Sequence, residues 1–242
     1  VEMYLQNIPA NQVQVRNQFL KHCVQGMEKE YQFWMQGKEL LTDDAAATKR
    51  VVKMPNGECL NRYWDDSTEP RPESYREDIE EAEKIAVAKR PDFYRNIRAG
   101  CESGWDFSSR WLADQDDLAS IHTTHIVPID LNCLLYKLEM LLSQFYAELL
   151  ETEQSIKFAE FAQTRSDAIN YYLWNEHSFF YHDFDFIKGQ KTPTQSLAAC
   201  LPLFTQIASQ EQAQHIAHKL ENSFLMEGGL VTTLNHSAQQ WD

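Results

Sequence analysis

Basic residues are in short supply. The 242 residues carry 22 Lys and Arg against 36 Asp and Glu, a formal net charge of −14. That balance excludes nucleic acid and anionic membrane surfaces as the main partner and leaves a neutral substrate open. Long apolar runs are missing too: nothing approaches the roughly 18 residues that a membrane-spanning helix needs. The opening Val1-Glu2-Met3 has neither the basic region nor the apolar run of a secretory signal. The five cysteines, Cys23, Cys59, Cys101, Cys133 and Cys200, are irregularly spaced and form no Cys-x-x-Cys pair. Structural zinc and redox motifs therefore fall away, and scattered thiols in a reducing compartment remain. A cytoplasmic location is the expectation, with the periplasm as the alternative. No glycine-rich phosphate loop, Gly-x-Ser-x-Gly elbow or His-Glu-x-x-His pair occurs, so nucleotide, serine-hydrolase and zinc-protease chemistries have no motif to rest on.

What is present is a helical rhythm on an aromatic-rich background of 13 Phe, 10 Tyr and 6 Trp, far too many for a disordered chain. Residues 13–34 repeat apolar positions at helical spacing (Phe19, Cys23, Met27, Tyr31, Trp34). Residues 50–54 and 59–63 flank Pro55-Asn56-Gly57 and predict a small β-hairpin. Ser74 with Glu77 reads as a capping box, and Pro91 opens a further helix. Asp130 reads as the N-cap of a helix with the stripe Leu134, Leu138, Leu141, Phe145 and Leu149. A helix with Phe158, Phe161, Ala162, Ile169 and Tyr172 follows, then helices near 196–208 and 211–224. The fold class expected is all-α, with about seven helices and one hairpin. Helix pairs stacked openly or closed into a toroid both fit, and the lack of a fixed repeat argues against a regular solenoid.

Two clusters could carry chemistry. The run from Glu102 to Trp111 holds Asp106 between Trp105 and Phe107, with hydroxyls and Arg110 close by. A carboxyl shielded by indole and phenyl rings loses hydration, and the raised pKa expected there suits a general acid; Trp105 and Trp111 offer flat faces to a sugar ring. The alternative is a structural loop with Asp106 as a helix cap. Arg71-Pro72-Glu73-Ser74 presents a donor fork beside a charged acceptor, the mixture a polyol requires; the alternative is a surface ion pair. Asp65-Asp66 reads as a solvated acidic turn. The pairs His122/His125 and His215/His218 lack a third ligand at fixed spacing, so no metal is expected. His182-Asp183-Phe184-Asp185 fits a strand or loop lining a cleft, or an exposed edge. Asn132 is placed to face a cavity. Trp241 stands near the last residue as an aromatic with no evident partner.

Leu60-Asn61-Arg62-Tyr63-Trp64-Asp65-Asp66, Arg71-Pro72-Glu73-Ser74-Tyr75 and the run Arg98-Ala99-Gly100-Cys101-Glu102-Ser103-Gly104-Trp105-Asp106-Phe107-Ser108-Ser109-Arg110-Trp111 resemble the trehalase family of glycoside hydrolases. Pro128-Ile129-Asp130-Leu131-Asn132, Tyr172-Leu173-Trp174 and Gln240-Trp241-Asp242 extend the resemblance from about Glu30 to the end. It implies an (α/α)6 toroid with its site at one mouth, and hydrolysis of the neutral disaccharide α,α-trehalose to two glucose molecules with inversion, without metal or cofactor. It implies Asp106 as general acid, and Arg71, Glu73, Gly104, Trp105 and Trp241 as substrate-binding residues. An inverting enzyme needs a second carboxylate about 6.5–9.5 Å from the first, and the family's lies downstream of Gln-Trp-Asp, past Asp242. The family's upstream signatures are absent. The chain is therefore expected to be an internal piece of one catalytic domain, lacking both ends. As such it should leave apolar helix faces open and show little activity alone. Another inverting glycosidase, or a helical interaction scaffold, are the alternative functions.

Overall fold

A computed structural model of the protein describes residues 1–9 and 11–242. Among these, eight α-helices form: α1 (Glu2–Gln6), α2 (Val13–Trp34), α3 (Tyr75–Ala82), α4 (Arg90–Glu102), α5 (Ile129–Glu148), α6 (Thr152–Leu173), α7 (Leu201–Phe204) and α8 (Gln210–Lys219). The frame is the antiparallel pair α5 and α6, joined by a tight turn in which Leu150 adopts a φ of 63°. Leu142, Phe145 and Tyr146 of α5 and Phe158 of α6 meet Leu20 and Val24 of α2 in one buried cluster. Each such side chain contributes about 1.5–3 kcal/mol when removed from water. The buried face of α2 is thus turned from the stripe read in the sequence: Phe19, Met27 and Tyr31 pack only at its margin. Leu134, expected in the α5 stripe, is exposed, as are Ile156 and Tyr171 on α6. No helix among the described residues is long and apolar enough to cross a membrane.

The hairpin is present and gains a strand. β1 (Ala47–Thr48), β2 (Val51–Lys53) and β3 (Cys59–Asn61) form a three-stranded antiparallel sheet with Val52 opposite Leu60. Its turn closes where Gly57 takes φ 98° and Met54 N donates to Glu58 O at 2.7 Å. Two-residue strands also occur where no β signal is legible. β4 (Ile126–Val127), β7 (Phe184–Asp185) and β8 (Gln190–Lys191) make one small sheet, and β5 (Trp174–Asn175) and β6 (Phe180–Tyr181) another. β9 (Leu225–Met226) and β10 (Gly229–Leu230) close the series. Strands this short carry too little alternation to be read. The expected Ser74 capping box is absent: Ser74 precedes α3 without a side-chain cap bond, after a 3-10 turn, Pro72–Ser74. A capping box forms instead between Ser209 and Gln212. The helix expected over 196–208 is a 3-10 turn, Leu197–Cys200, followed by the single turn of α7.

Two buried polar networks fix the frame. Arg165 of α6 holds Glu139 of α5 through Nε at 2.9 and 3.0 Å and reaches Asn61 Oδ1 and Asn132 Oδ1 at 3.0 and 3.1 Å. Asn132 therefore faces no cavity; it exchanges hydrogen bonds with the backbone of Asn61 at 2.8 and 2.9 Å. Arg110, fully buried, lies between two carboxylates. Its Nε and Nη2 donate to Asp183 at 2.6 and 2.9 Å, and its Nη1 and Nη2 to Asp130 at 2.8 and 2.9 Å. Asp130 is consequently not the N-cap of α5, a position taken by Pro128; the buried guanidinium claims its carboxylate. Asp183 also accepts from Ile129 N at 2.9 Å, so the aspartate read as a cleft or edge residue is a buried tie.

Removing Arg110 leaves two carboxylates without their cation in a dry site. Arg110→Met is expected to lower unfolding free energy by about 3–5 kcal/mol. Arg76→Ala, which breaks an exposed i,i+4 pair with Glu80, should change it by less than about 0.5 kcal/mol. Urea titration of both variants measures the difference; equal midpoints would contradict it.

A pH dependence follows from three imidazoles. Burial, first, pushes the pKa of His122, His125 and His182 down, so the fold favours their neutral forms. At His182 burial outweighs the hydrogen bond from Nδ1–H to Thr192 O at 2.8 Å, which favours the charged form; in the neutral ring Nε2, 2.9 Å from Ser178 Oγ, is the acceptor. The unfolded chain binds more protons at acid pH, so stability is complete above the ordinary histidine pKa of about 6.5 and is lost as pH falls below it. Melting temperatures from pH 7.5 to 5.5 should fall. His182→Gln should flatten part of the slope, and an unchanged slope would contradict the assignment.

Candidate active site

α4 starts at Arg90 with Pro91 in its first turn and ends at Glu102. The chain leaves it through Gly104, whose φ of +74° suits a residue without a side chain although space around it is open. Ser103 Oγ accepts from Trp105 N at 3.0 Å. Glu102 is anchored rather than free: it pairs with Arg50, and its Oε2 accepts from Trp64 N at 2.8 Å. The turn is thereby pinned to the hairpin.

Two distant segments meet the loop that leaves this turn. Arg71 is held by Asp78, whose carboxylate accepts from the Arg71 backbone N at 2.8 Å, from Nη2 at 2.6 Å and from Nε at 3.1 Å. Its Nη1 reaches Cys101 Sγ at 3.1 Å, and its guanidinium carbon lies 5.2 Å from the Phe107 ring centroid. Among the described residues one N–H on each terminal nitrogen has no acceptor and is available to a hydroxyl. Burial works against the Arg71 charge, but the hydrogen bonds and charge of Asp78 outweigh it and raise the pKa. At Cys101, burial pushes the thiol up, Arg71 pulls it down, and Asp106 and Glu73 push it up again. Both carboxylates thus lie within electrostatic reach of one sulfur.

The second segment is Gln240-Trp241-Asp242. Trp241 N donates to Phe107 O at 3.0 Å, and its ring sits 6.4 Å from that of Trp105, so Trp241 does have a partner. Asp242 accepts from Ser108 Oγ at 2.8 Å, from Ser109 N at 3.0 Å and from Thr233 Oγ1 at 3.1 Å, and also bonds Ser237 Oγ. These bonds fasten the loop on its far side.

Asp106, Arg71, Glu73, Gly104, Trp105 and Trp241 accordingly gather around the end of α4, but not in the arrangement read from the sequence. Asp106 and Glu73 are exposed and Trp105 is half-buried. The shield of indole rings expected over Asp106 does not form within these residues. Trp111 is fully buried and donates Nε1–H to Trp105 O at 3.1 Å, while the Arg110 guanidinium carbon lies 4.8 Å from the Trp105 centroid and 4.5 Å from that of Trp111. Trp111 is therefore a core residue and offers no face to a sugar. Asp65 pairs with Arg98 at 3.2 Å and Asp66 accepts from Trp64 Nε1 at 2.9 Å, so the acidic turn is partly tied down. His122 and His125 lie 6.0 Å apart, and His215 stacks on Phe179 at 4.3 Å. Asp78, which orients Arg71, carries no local sequence signal, because it meets Arg71 from seven residues away across a 3-10 turn.

The helical frame is a partial α/α toroid. A family model, Trehalase, matches residues 1–242. The chain belongs to the trehalase family. Among solved structures it is similar to neutral trehalase Nth1 from Saccharomyces cerevisiae, at 23% identity and a TM-score of 0.64, covering 81% of this chain and 41% of that one. It is also similar to a GH63 mannosylglycerate hydrolase from Thermus thermophilus, solved with Tris and D-glycerate, at 12% identity and a TM-score of 0.51, covering 95% of this chain and 58% of that one. The chain thus spans less than half the length of the yeast protein.

Asp242 closes the loop by accepting several bonds, so Asp242→Ala should strand donors on the buried residues Ser108 and Ser109. A loss of about 1–3 kcal/mol is expected, with faster amide exchange over residues 105–111 measured by mass spectrometry. Unchanged exchange there would contradict the fastening role.

Proposed function

We propose that this chain carries the proton-donating part of an active site that hydrolyses α,α-trehalose with inversion, within one toroidal catalytic domain that includes residues 1–242. The observation that carries the reading is the meeting of Arg71, Asp106 and Trp241, from three separated segments, at the end of α4.

In this reading Asp106 donates a proton to the glycosidic oxygen as the bond to the anomeric carbon breaks, and the first glucose leaves as an alcohol. The two unused N–H groups of Arg71 and the carboxylate of Glu73 bind sugar hydroxyls; an arginine supplies only donors and a carboxylate only acceptors, so the pair covers both halves of a hydroxyl. Trp241 and Trp105 give the ring an apolar wall, and Gly104 leaves room beside it. Water attacks the opposite face, its proton taken by a second carboxylate about 6.5–9.5 Å from Asp106, which lies outside residues 1–242. Proton transfer and a water nucleophile complete the reaction without a metal or organic cofactor. The open position of Asp106 fits a rim whose opposite wall comes from the rest of the toroid. A neutral disaccharide as substrate agrees with the acidic chain, and free cysteines agree with breakdown of trehalose in the cytoplasm.

In the protein that joins this chain to the remainder of the toroid, Asp106→Asn should lower kcat for glucose release by about 10²–10⁴ with little change in KM. Arg71→Gln should raise KM. Proton NMR of the first turnover should show one α- and one β-glucose per trehalose. Full activity in Asp106→Asn, or two α-glucose molecules, would contradict the proposal.

A further inference from the structure

A concavity lies apart from Asp106, where α4, the loop before β1 and the turn before β4 face one another. It encloses about 530 Å³, and its walls include Arg62, Trp64, Arg95, Asn96, His125 and Phe186. Arg95 and Asn96 stand about two helical turns before Glu102 on α4, or roughly 10 Å along its axis. The volume is in the range of small-molecule sites, about 300–1,000 Å³.

Arg62 is the unusual member. Only 6% of it is exposed, a degree of burial at which a guanidinium is ordinarily paired with a carboxylate. Here Nε donates to Lys49 O at 2.7 Å and Nη1 to Thr124 O at 2.6 Å. Among the described residues no carboxylate lies within salt-bridge distance of it, and Nη2 has no hydrogen-bond partner. The charge beside it is a second cation. The guanidinium carbons of Arg62 and Arg95 sit 4.4 and 4.5 Å from the centroid of the same indole, Trp64. Burial, and then the charge of Arg95, push the Arg62 pKa down to about 10, so it stays protonated at neutral pH while carrying an unrelieved repulsion.

The shelf that holds the two cations is rigid. Trp64 is fixed at its backbone N by Glu102 and at Nε1 by Asp66. Arg95 Nε is bound to Asp65 O at 3.2 Å. The acids at the cavity are peripheral: Asp44 and Asp92 are both exposed, and Asp92 stands 3.8 Å from Arg95 Nη1, a long contact that water screens. His125, its pKa lowered first by burial, adds no charge of its own at neutral pH.

We propose that this cavity binds a small oxyanion, the phosphate or carboxylate group of a sugar-sized metabolite, between the guanidinium groups of Arg62 and Arg95. An anion there removes the repulsion and gives Arg62 Nη2 the acceptor it lacks, and planar guanidinium groups match oxyanions by paired hydrogen bonds. Trp64 and Phe186 supply the apolar surface for the rest of the ligand. The site is distinct from that of Asp106 and does not depend on the hydrolytic reading.

Calorimetric titration at constant ionic strength tests it with three probes: inorganic phosphate, glucose 6-phosphate and glucuronate. Saturable one-to-one binding of at least one probe with Kd below about 1 mM is expected. Tightest binding by glucose 6-phosphate would identify a sugar phosphate, by glucuronate a carboxylate, and equal binding of the two phosphates a free phosphate site. Arg95→Gln should weaken binding about tenfold or more, and Arg62→Gln further, with near-ultraviolet circular dichroism reporting whether each variant is folded. Arg71→Gln should leave binding unchanged. No saturation by any probe, or affinity undiminished in Arg95→Gln, would overturn the proposal.

Discussion

Arg110 is the constraint on which the candidate site depends. A guanidinium with no exposed side-chain surface persists only where carboxylates meet it with good geometry, and Asp130 and Asp183 do so along two adjacent edges that share Nη2. Those partners sit at the start of α5 and just before β7. One buried cation thereby ties the frame helix, the small sheet and the loop from Trp105 to Trp111 together. Because Trp105 rests on that same guanidinium, the position of the site loop follows from the ion cluster. Asp106 is placed by chemistry a few residues away from itself.

The rest of the site is held by the same logic at lower burial. Arg71 is oriented by Asp78, Glu102 by Arg50, and the loop's outer edge by Asp242. Residues with no proposed chemical task, Asp78, Arg50 and Asp242 among them, thus hold the site loop and Arg71 in place. A net charge of −14 thus gives little guide to the interior, where arginines and carboxylates are matched around the site. Arg62 departs from this pattern: it has no carboxylate partner among the described residues, and that sets the cavity beside it apart.

Much of the frame was legible in the sequence. α2, α4, α5 and α6 each carry an apolar rhythm or a proline start long enough to read, and Pro55-Asn56-Gly57 marks its hairpin without tertiary help. The two-residue strands were not legible, because their existence depends on partners far along the chain. The same holds for the roles of Asp130 and Asp183, which lie 20 and 73 residues from Arg110. Local rules made Asp130 a helix cap, and a long-range ion pair overrode them. The site residues were found as motifs, yet motif reading could not distinguish Trp105, which borders the site, from Trp111, six residues on and buried. Nor could it show that Trp105 would turn toward Arg110 and Trp241, and Phe107 toward Arg71.

The central claim is that Asp106, at the open end of α4, faces the bridging oxygen of a bound disaccharide. The most direct measurement is a crystal structure of the full protein carrying Asp106→Asn with trehalose bound. A side chain at position 106 within about 3 Å of the glycosidic oxygen, with Arg71 and Glu73 on the hydroxyls of one ring, is the expected result. Trehalose bound with position 106 well beyond hydrogen-bond reach of that oxygen would contradict it.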